Sequence, residues 1–130
     1  MAFVSSGYNP DKPMENRLTD LGPRHFWEFF PPVIQNNYGK WKYHEILEPG
    51  VLVHVAENGD KVFTVRVGGC RFMTVEHVRE ICEIADKHCD GFVRFTTRNN
   101  IEFMVDSQDK MEALKKDLQG RKHVSGSYKF

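Results

Sequence analysis

The chain has 130 residues, 40% of them hydrophobic and 28% charged, which suits one ordinary domain or a large piece of one. Its 18 basic and 18 acidic residues cancel, so the basic excess expected of a general nucleic-acid binder is missing. No apolar run approaches the ~20 residues that span a bilayer, and Met1-Ala2-Phe3-Val4-Ser5-Ser6-Gly7 lacks the basic and apolar regions of a secretory signal.

All six prolines, Pro10, Pro13, Pro23, Pro31, Pro32 and Pro49, lie in the first fifty residues. Proline fixes φ and removes a backbone donor, so regular structure is disfavoured there. The same stretch carries Phe26, Trp27, Phe29, Phe30, Tyr38, Trp41 and Tyr43, unlike a disordered tail. Residues 1–50 therefore read as an irregular arm whose rings pack on the core or on a partner subunit.

From Val51 the pattern becomes regular. Val51-Leu52-Val53-His54-Val55 and Val62-Phe63-Thr64-Val65-Arg66-Val67 are β-rich runs separated by Glu57-Asn58-Gly59-Asp60. Asn-Gly favours a two-residue type I′ hairpin turn. Thr74 is suited to cap a helix with Glu76 in its first turn, and Val75, Val78, Ile81, Cys82, Ala85 and Cys89 recur at helical spacing as an apolar face. Asp90-Gly91 ends this helix. Phe92–Thr97 and Ile101–Val105 follow as two strands around Arg98-Asn99-Asn100. Asp106 is the expected cap of a last helix, with Met111, Leu114 and Leu118 on one face and Gly120 closing it. The expected class is α+β: β-hairpin, α, β-hairpin, α. After its first strand this is a ferredoxin-like half-domain whose last strand is missing.

Strand side chains alternate between faces. Phe63, Val65 and Val67 share one face with Val93 and Phe95. Thr64, Arg66, Arg94 and Thr96 share the other, with Arg98 added if the strand extends and Arg71 in the following loop. Guanidinium groups gathered on one sheet face suit bidentate binding of carboxylates or oxyanions. The same pattern also describes a solvated outer face with scattered arginines.

Thr96-Thr97-Arg98-Asn99-Asn100, between two strands, resembles the T-T-R-x-N motif of the sulfite and nitrite reductase family. Tyr8-Asn9-Pro10, Met14-Glu15-Asn16-Arg17, Phe29-Phe30-Pro31-Pro32-Val33-Ile34 and the run from Tyr43 to Ala56 resemble the β subunits of its dissimilatory branch. The resemblance covers nearly the whole chain. It implies a cytoplasmic enzyme of sulfate respiration that reduces sulfite at sirohaem coupled to a [4Fe–4S] cluster. It also implies an α2β2 assembly with an α subunit and a small sulfur-carrier protein as partners, and neither nucleic acid nor membrane. Carried over by position, Arg98 faces the tetrapyrrole or its anion, Thr96 and Thr97 shape the strand, and Asn100 is a polar neighbour. Arg66 and Arg71 are further basic candidates for cofactor binding.

The family's cluster is held by C-x5-C and C-x3-C pairs. Cys70, Cys82 and Cys89 form neither pair, and their small odd number fits a reducing compartment. Cys82 and Cys89 are expected in the core, and packing is the expected role of Cys70 as well. The six histidines show no i, i+4 metal pair, and Gly68-Gly69 is framed by no phosphate-binding motif. Lys110, Lys115, Lys116, Arg121 and Lys122 read as helix-dipole complement and solvated surface. The expected organisation is an arm at 1–50, the half-domain at 51–120, and at 121–130 a cut linker toward an absent sirohaem and cluster domain. The expectation is thus a fragment of a longer subunit, inactive alone. A stand-alone ferredoxin-like binding or assembly module is the alternative. A single-strand nucleic-acid platform ranks below both, because the face lacks two clear aromatics.

Overall fold

Five antiparallel strands form the main sheet, in the order β1-β2-β3-β5-β4. They are β1 (Trp41–Glu48), β2 (Val51–Ala56), β3 (Lys61–Val67), β4 (Val93–Phe95) and β5 (Ile101–Val105). The short α1 (Pro32–Asn36) precedes them, α2 (Val75–His88) joins β3 to β4, and α3 (Gln108–Gly120) follows β5. The computed structural model describes Asp11 and residues 26–123 and 126–130. The Tyr8-Asn9-Pro10 and Met14–Arg17 segments, and about half of the expected arm, lie outside the described residues. Phe26–Phe29 form a single 3-10 turn, and Pro31–Phe130 form one unit.

The sheet has a closed face and an open face. Val53, Val65, Phe103 and their same-face neighbours bury against Ile81, Ile84 and Ala85 of α2 and Met111, Leu114 and Leu118 of α3. The alternation in β2, β3 and β5 supplies this closed face, as period-2 patterning predicts.

β3, α2, β4, β5 and α3 follow the ferredoxin-like order, with β5 between β3 and β4. No strand after α3 joins this sheet among the described residues. The place beside β3 that a last strand would take is filled by β2, antiparallel to β3. β1 then forms the outer edge.

Several local expectations change. The proline distribution predicted irregular chain to residue 50, yet β1 begins at Trp41; no proline falls between Val33 and Glu48, so nothing interrupts the ladder. The β2–β3 turn is a three-residue loop rather than a two-residue type I′ turn. The amide of Gly59 donates to the Ala56 carbonyl at 3.0 Å, and the Ala56 amide donates to the Asp60 carbonyl at 2.8 Å. Only Gly59, at φ 91°, takes the left-handed conformation, while Asn58 keeps an ordinary one. Thr74 caps α2 as expected, its Oγ1 accepting from the His77 amide at 3.1 Å. Ser107, not Asp106, caps α3; the Asp106 carboxylate instead accepts from Lys110 Nζ at 2.8 Å.

The apolar face of α2 is also shifted. Ile81, Ile84, Ala85 and Cys89 are buried, whereas Val75, Val78 and Cys82 are exposed. Apolar residues cover more than half the helix circumference, and the contact with α3 selects the side carrying Ile84.

The stretch expected as a linker folds back. β6 (Lys122–His123) pairs with β7 (Gly126–Ser127). The buried Tyr128 donates its hydroxyl to Glu80 at 3.2 Å, and the Gly68 amide donates to the Lys129 carbonyl at 2.8 Å. Some of the basic residues near the end of α3 are paired rather than merely solvated: Arg121 bonds Asp117 at 2.8 Å, and Lys115 contacts Glu48 and Glu112.

Candidate functional site

On the open face, register decides which side chains meet. Arg66 of β3 lies opposite Glu102 of β5, and Glu102 lies opposite Arg94 of β4. Three adjacent strands therefore place arginine, glutamate and arginine in one row. The Glu102 carboxylate is almost fully buried. Its Oε2 accepts from Arg66 Nε at 2.9 Å and from Arg94 Nη2 at 3.1 Å, and Arg66 Nη2 lies in ion-pair contact with it at 2.8 Å.

This row borders an open concavity of about 820 Å³. Its rim includes Arg66, Arg94, Arg98 and Lys129 as cations, Thr96, Thr97 and Asn100 as polar groups, and Ile46, Leu52, Phe95 and Phe130 as apolar walls. Four cations gather here, and only two of them share a described carboxylate. The concavity therefore favours an anion with a substantial apolar body.

The hairpin from β4 to β5 sets the position of Arg98. β4 ends at Phe95 rather than at Thr97, and Arg98 sits in the turn between the strands. The Thr96 amide donates to the Asn100 carbonyl at 2.8 Å, and the Asn99 amide donates to the Thr96 carbonyl at 2.9 Å. Thr96 Oγ1 also accepts from the Asn100 amide at 3.1 Å. Asn99 takes φ 62°, a conformation asparagine tolerates better than most residues. Thr97, Arg98 and Asn99 thus form a tied three-residue loop.

Gly69 lets this turn approach the end of β3. A Cβ at residue 69 would collide with the Asn99 backbone carbonyl. The Gly68-Gly69 pair, which matched no phosphate motif, acts here as room for the turn.

The structure therefore brings together Arg66, Thr96, Thr97, Arg98 and Asn100. It does not bring Arg71 to the concavity; that residue is exposed in the loop after β3. Arg94 and Lys129 line the site beyond the assigned set, and Glu102 was missed altogether. Strand alternation does place Glu102 beside Arg66 and Arg94, so opposite charges at matching positions of three strands were the available signal.

Two rows further along the sheet, His44 lies opposite His54, with ring centroids 5.5 Å apart. Burial first, and then His44, hold the His54 imidazole below its ordinary pKa; Arg66 and Arg94 add to this, and Glu102 opposes it.

The thiols do not gather. Cys89 is buried, and burial pushes it up to about 12, so it stays protonated at neutral pH. Cys70 and Cys82 are both exposed, contrary to their expected packing roles. No group of three or more His, Cys, Asp or Glu side chains among the described residues is arranged to hold a metal ion. No described helix is long and apolar enough to cross a membrane.

Residues 54–121 match the family described as the nitrite/sulfite reductase ferredoxin-like half domain. The whole chain is 68% identical to the dissimilatory-type sulfite reductase subunit beta of Megalodesulfovibrio gigas, covering 50% of that protein. It is 67% identical to the subunit of the same name from Nitratidesulfovibrio vulgaris, covering 34% of it. Over 108 residues it is 48% identical to the Archaeoglobus fulgidus subunit, covering 30%. The chain thus spans half the length of the first of these relatives and about a third of the other two.

Proposed function

The chain belongs to the nitrite/sulfite reductase ferredoxin-like half-domain family, and on that premise we propose that it forms part of the β subunit of a dissimilatory sulfite reductase. In this reading the enzyme reduces sulfite toward sulfide or a carrier-bound sulfur product in sulfate respiration. It works in the cytoplasm as an α2β2 assembly with an α subunit, and a small sulfur-carrier protein is its partner. The 130-residue chain supplies part of the anion- and sirohaem-binding scaffold and is inactive alone.

The single observation that carries the reading is the cationic concavity beside the Thr96–Asn100 turn. The donor set fits a carboxylate-rich tetrapyrrole: guanidinium groups and an ammonium match carboxylates, and Phe95, Phe130 and Leu52 suit an apolar ring. Arg66, Arg94, Arg98 and Lys129 are the residues that would hold it. That group, bound with its cluster, would relay electrons from an external reductant to sulfite for S–O cleavage. The three dispersed thiols do not fit a [4Fe–4S] cube, so cluster ligation falls to other sequence of the assembly.

The contribution of this chain is electrostatic. Fixed guanidinium donors bind the sulfite oxyanion, and they offset the charge that grows as its oxygens leave as water. The tied turn fixes the backbone that carries Arg98, so the side chain starts from a set position at the rim. In the assembled enzyme, Arg98→Ala should lower sulfite turnover with reduced methyl viologen, or sirohaem content per complex, by at least about tenfold. The unfolding temperature should not change. Normal turnover together with normal sirohaem content would remove Arg98 from the site.

A further inference from the structure

Glu102 does not line the concavity itself but pairs with two of the cations that do, Arg66 and Arg94. Its side chain is only 4% exposed, against 37% for Arg66 and 57% for Arg94. The acid is thus inside and the two guanidinium groups reach outward from it. Both hydrogen bonds and the Arg66 Nη2 ion-pair contact end on one oxygen, Oε2. Arg66 keeps Nη1 outside these bonds, and Arg94 keeps Nε and Nη1.

Stability alone is a poor reason for such a row. Burying charges costs desolvation, and apolar residues of similar volume usually stabilise a fold as well or better. A gain in orientation is a better reason. A free arginine side chain samples many rotamers, and ordering it costs entropy. A buried carboxylate between two strands removes that freedom before any ligand binds.

We propose that Glu102 is a positioning residue, which locks Arg66 and Arg94 into one two-guanidinium clamp for oxyanions and carboxylates. The proposal rests on the concavity being the anion site of the enzyme. Glu102 touches no ligand itself. It acts through the two arginines, at the cost of one negative charge near the anion.

That cost makes the proposal testable by sign. Glu102→Gln keeps the shape and one acceptor oxygen but removes the charge. If Glu102 were only a nearby charge, the variant would bind anions more tightly. As a positioning residue it should bind them more weakly, because both clamps loosen. In the assembled enzyme, KM for sulfite should rise about tenfold and sirohaem content per complex should fall, with kcat changed less. In an Arg66→Ala, Arg94→Ala background the same change should do almost nothing, since the residues it acts through are gone. Glu102→Asp should recover less than half of the loss, because the shorter side chain reaches one arginine at a time.

An unchanged or lower KM with full sirohaem content would overturn the proposal. If Glu102→Gln fails to assemble, Arg94→Lys gives the second reading. It keeps the charge and loses the fork, so it should raise KM, and a normal KM with full occupancy would equally overturn the clamp. The two readings separate through Arg98. A defect in Arg98→Ala with normal Glu102→Gln and Arg94→Lys leaves the site standing and removes only the clamp; normal behaviour in all three removes the site itself.

Discussion

The two faces of one sheet solve opposite problems with neighbouring residues of the same strands. Val65 and Phe103 bury against two helices, while Thr64, Arg66 and Glu102, one position along, face the other way. The closed face is held by area removed from water, which is additive and tolerant of chemistry. The open face is held by specific partners, and three of its charges depend on a single oxygen. Removing a closed-face residue should therefore cost stability, and removing an open-face residue should cost function.

The sharpest test of that division is Phe103→Ala. Phe103 is fully buried at the centre of β5, facing the helices. Its loss should cost about 3–5 kcal/mol, read as a shift of the denaturant midpoint. Arg98→Ala should leave that midpoint within about 0.5 kcal/mol. Comparable losses for both would mean that the turn bearing Arg98 is part of the core, and the division between faces would fall.

The closed side also has a polar seam, where α2 meets α3. Asp117 accepts from Arg121 Nε at 2.8 Å and lies 2.6 Å from His88 Nε2. The Arg121 hydrogen bond, helped by His88, lowers the Asp117 carboxyl to about 2 from an ordinary value of 3.8. A folded-state value below the unfolded one means that the unfolded chain binds the proton more readily. The contribution is therefore complete above about pH 4 and is lost as pH falls through 2. After allowance for solvent screening it is worth about 1–2 kcal/mol. Asp117→Asn should destabilise the chain by that amount at pH 7, and the difference should fade as pH falls through 2. A constant difference across this range would mean that the seam is held by shape rather than by charge.

The closed face was legible in the sequence because a single strand or helix carries its signal. The alternation in Phe63, Val65 and Val67, and the spacing of Met111, Leu114 and Leu118, each point to one buried side, and all six are buried. Errors there came from surplus: α2 offers apolar residues at Val75, Val78 and Cys82 as well, and only its packing decides among them. β1 escaped because it is an edge, exposed from Lys42 to Glu48, so no alternation in burial shaped it. The open face was legible only in part. Arg66 and Arg94 could be assigned to one side from their own strands, but Glu102 becomes meaningful only once three registers are known. Arg98 lies in the turn between β4 and β5, between the strands where the sequence placed it, and the conditional strand extension does not occur.

The smallest expected effect separates the faces most directly, because it uses two adjacent residues of β3 and opposite changes. Thr64 is buried on the open side, and its Oγ1 has no hydrogen-bond partner among the described residues. Burying an unpaired hydroxyl costs free energy that a methyl group of the same shape does not. Thr64→Val should therefore raise stability by about 1 kcal/mol. Val65→Thr places the same hydroxyl on the closed face among apolar side chains, where it should cost about 1–3 kcal/mol. Both are read from denaturant midpoints at constant slope, so that compactness of the unfolded chain does not enter. Opposite signs would show that the open face carries a polar group it does not need for folding. A loss in both variants would show instead that the Thr64 hydroxyl is satisfied in solution, and that polarity on the open face is structural at that position.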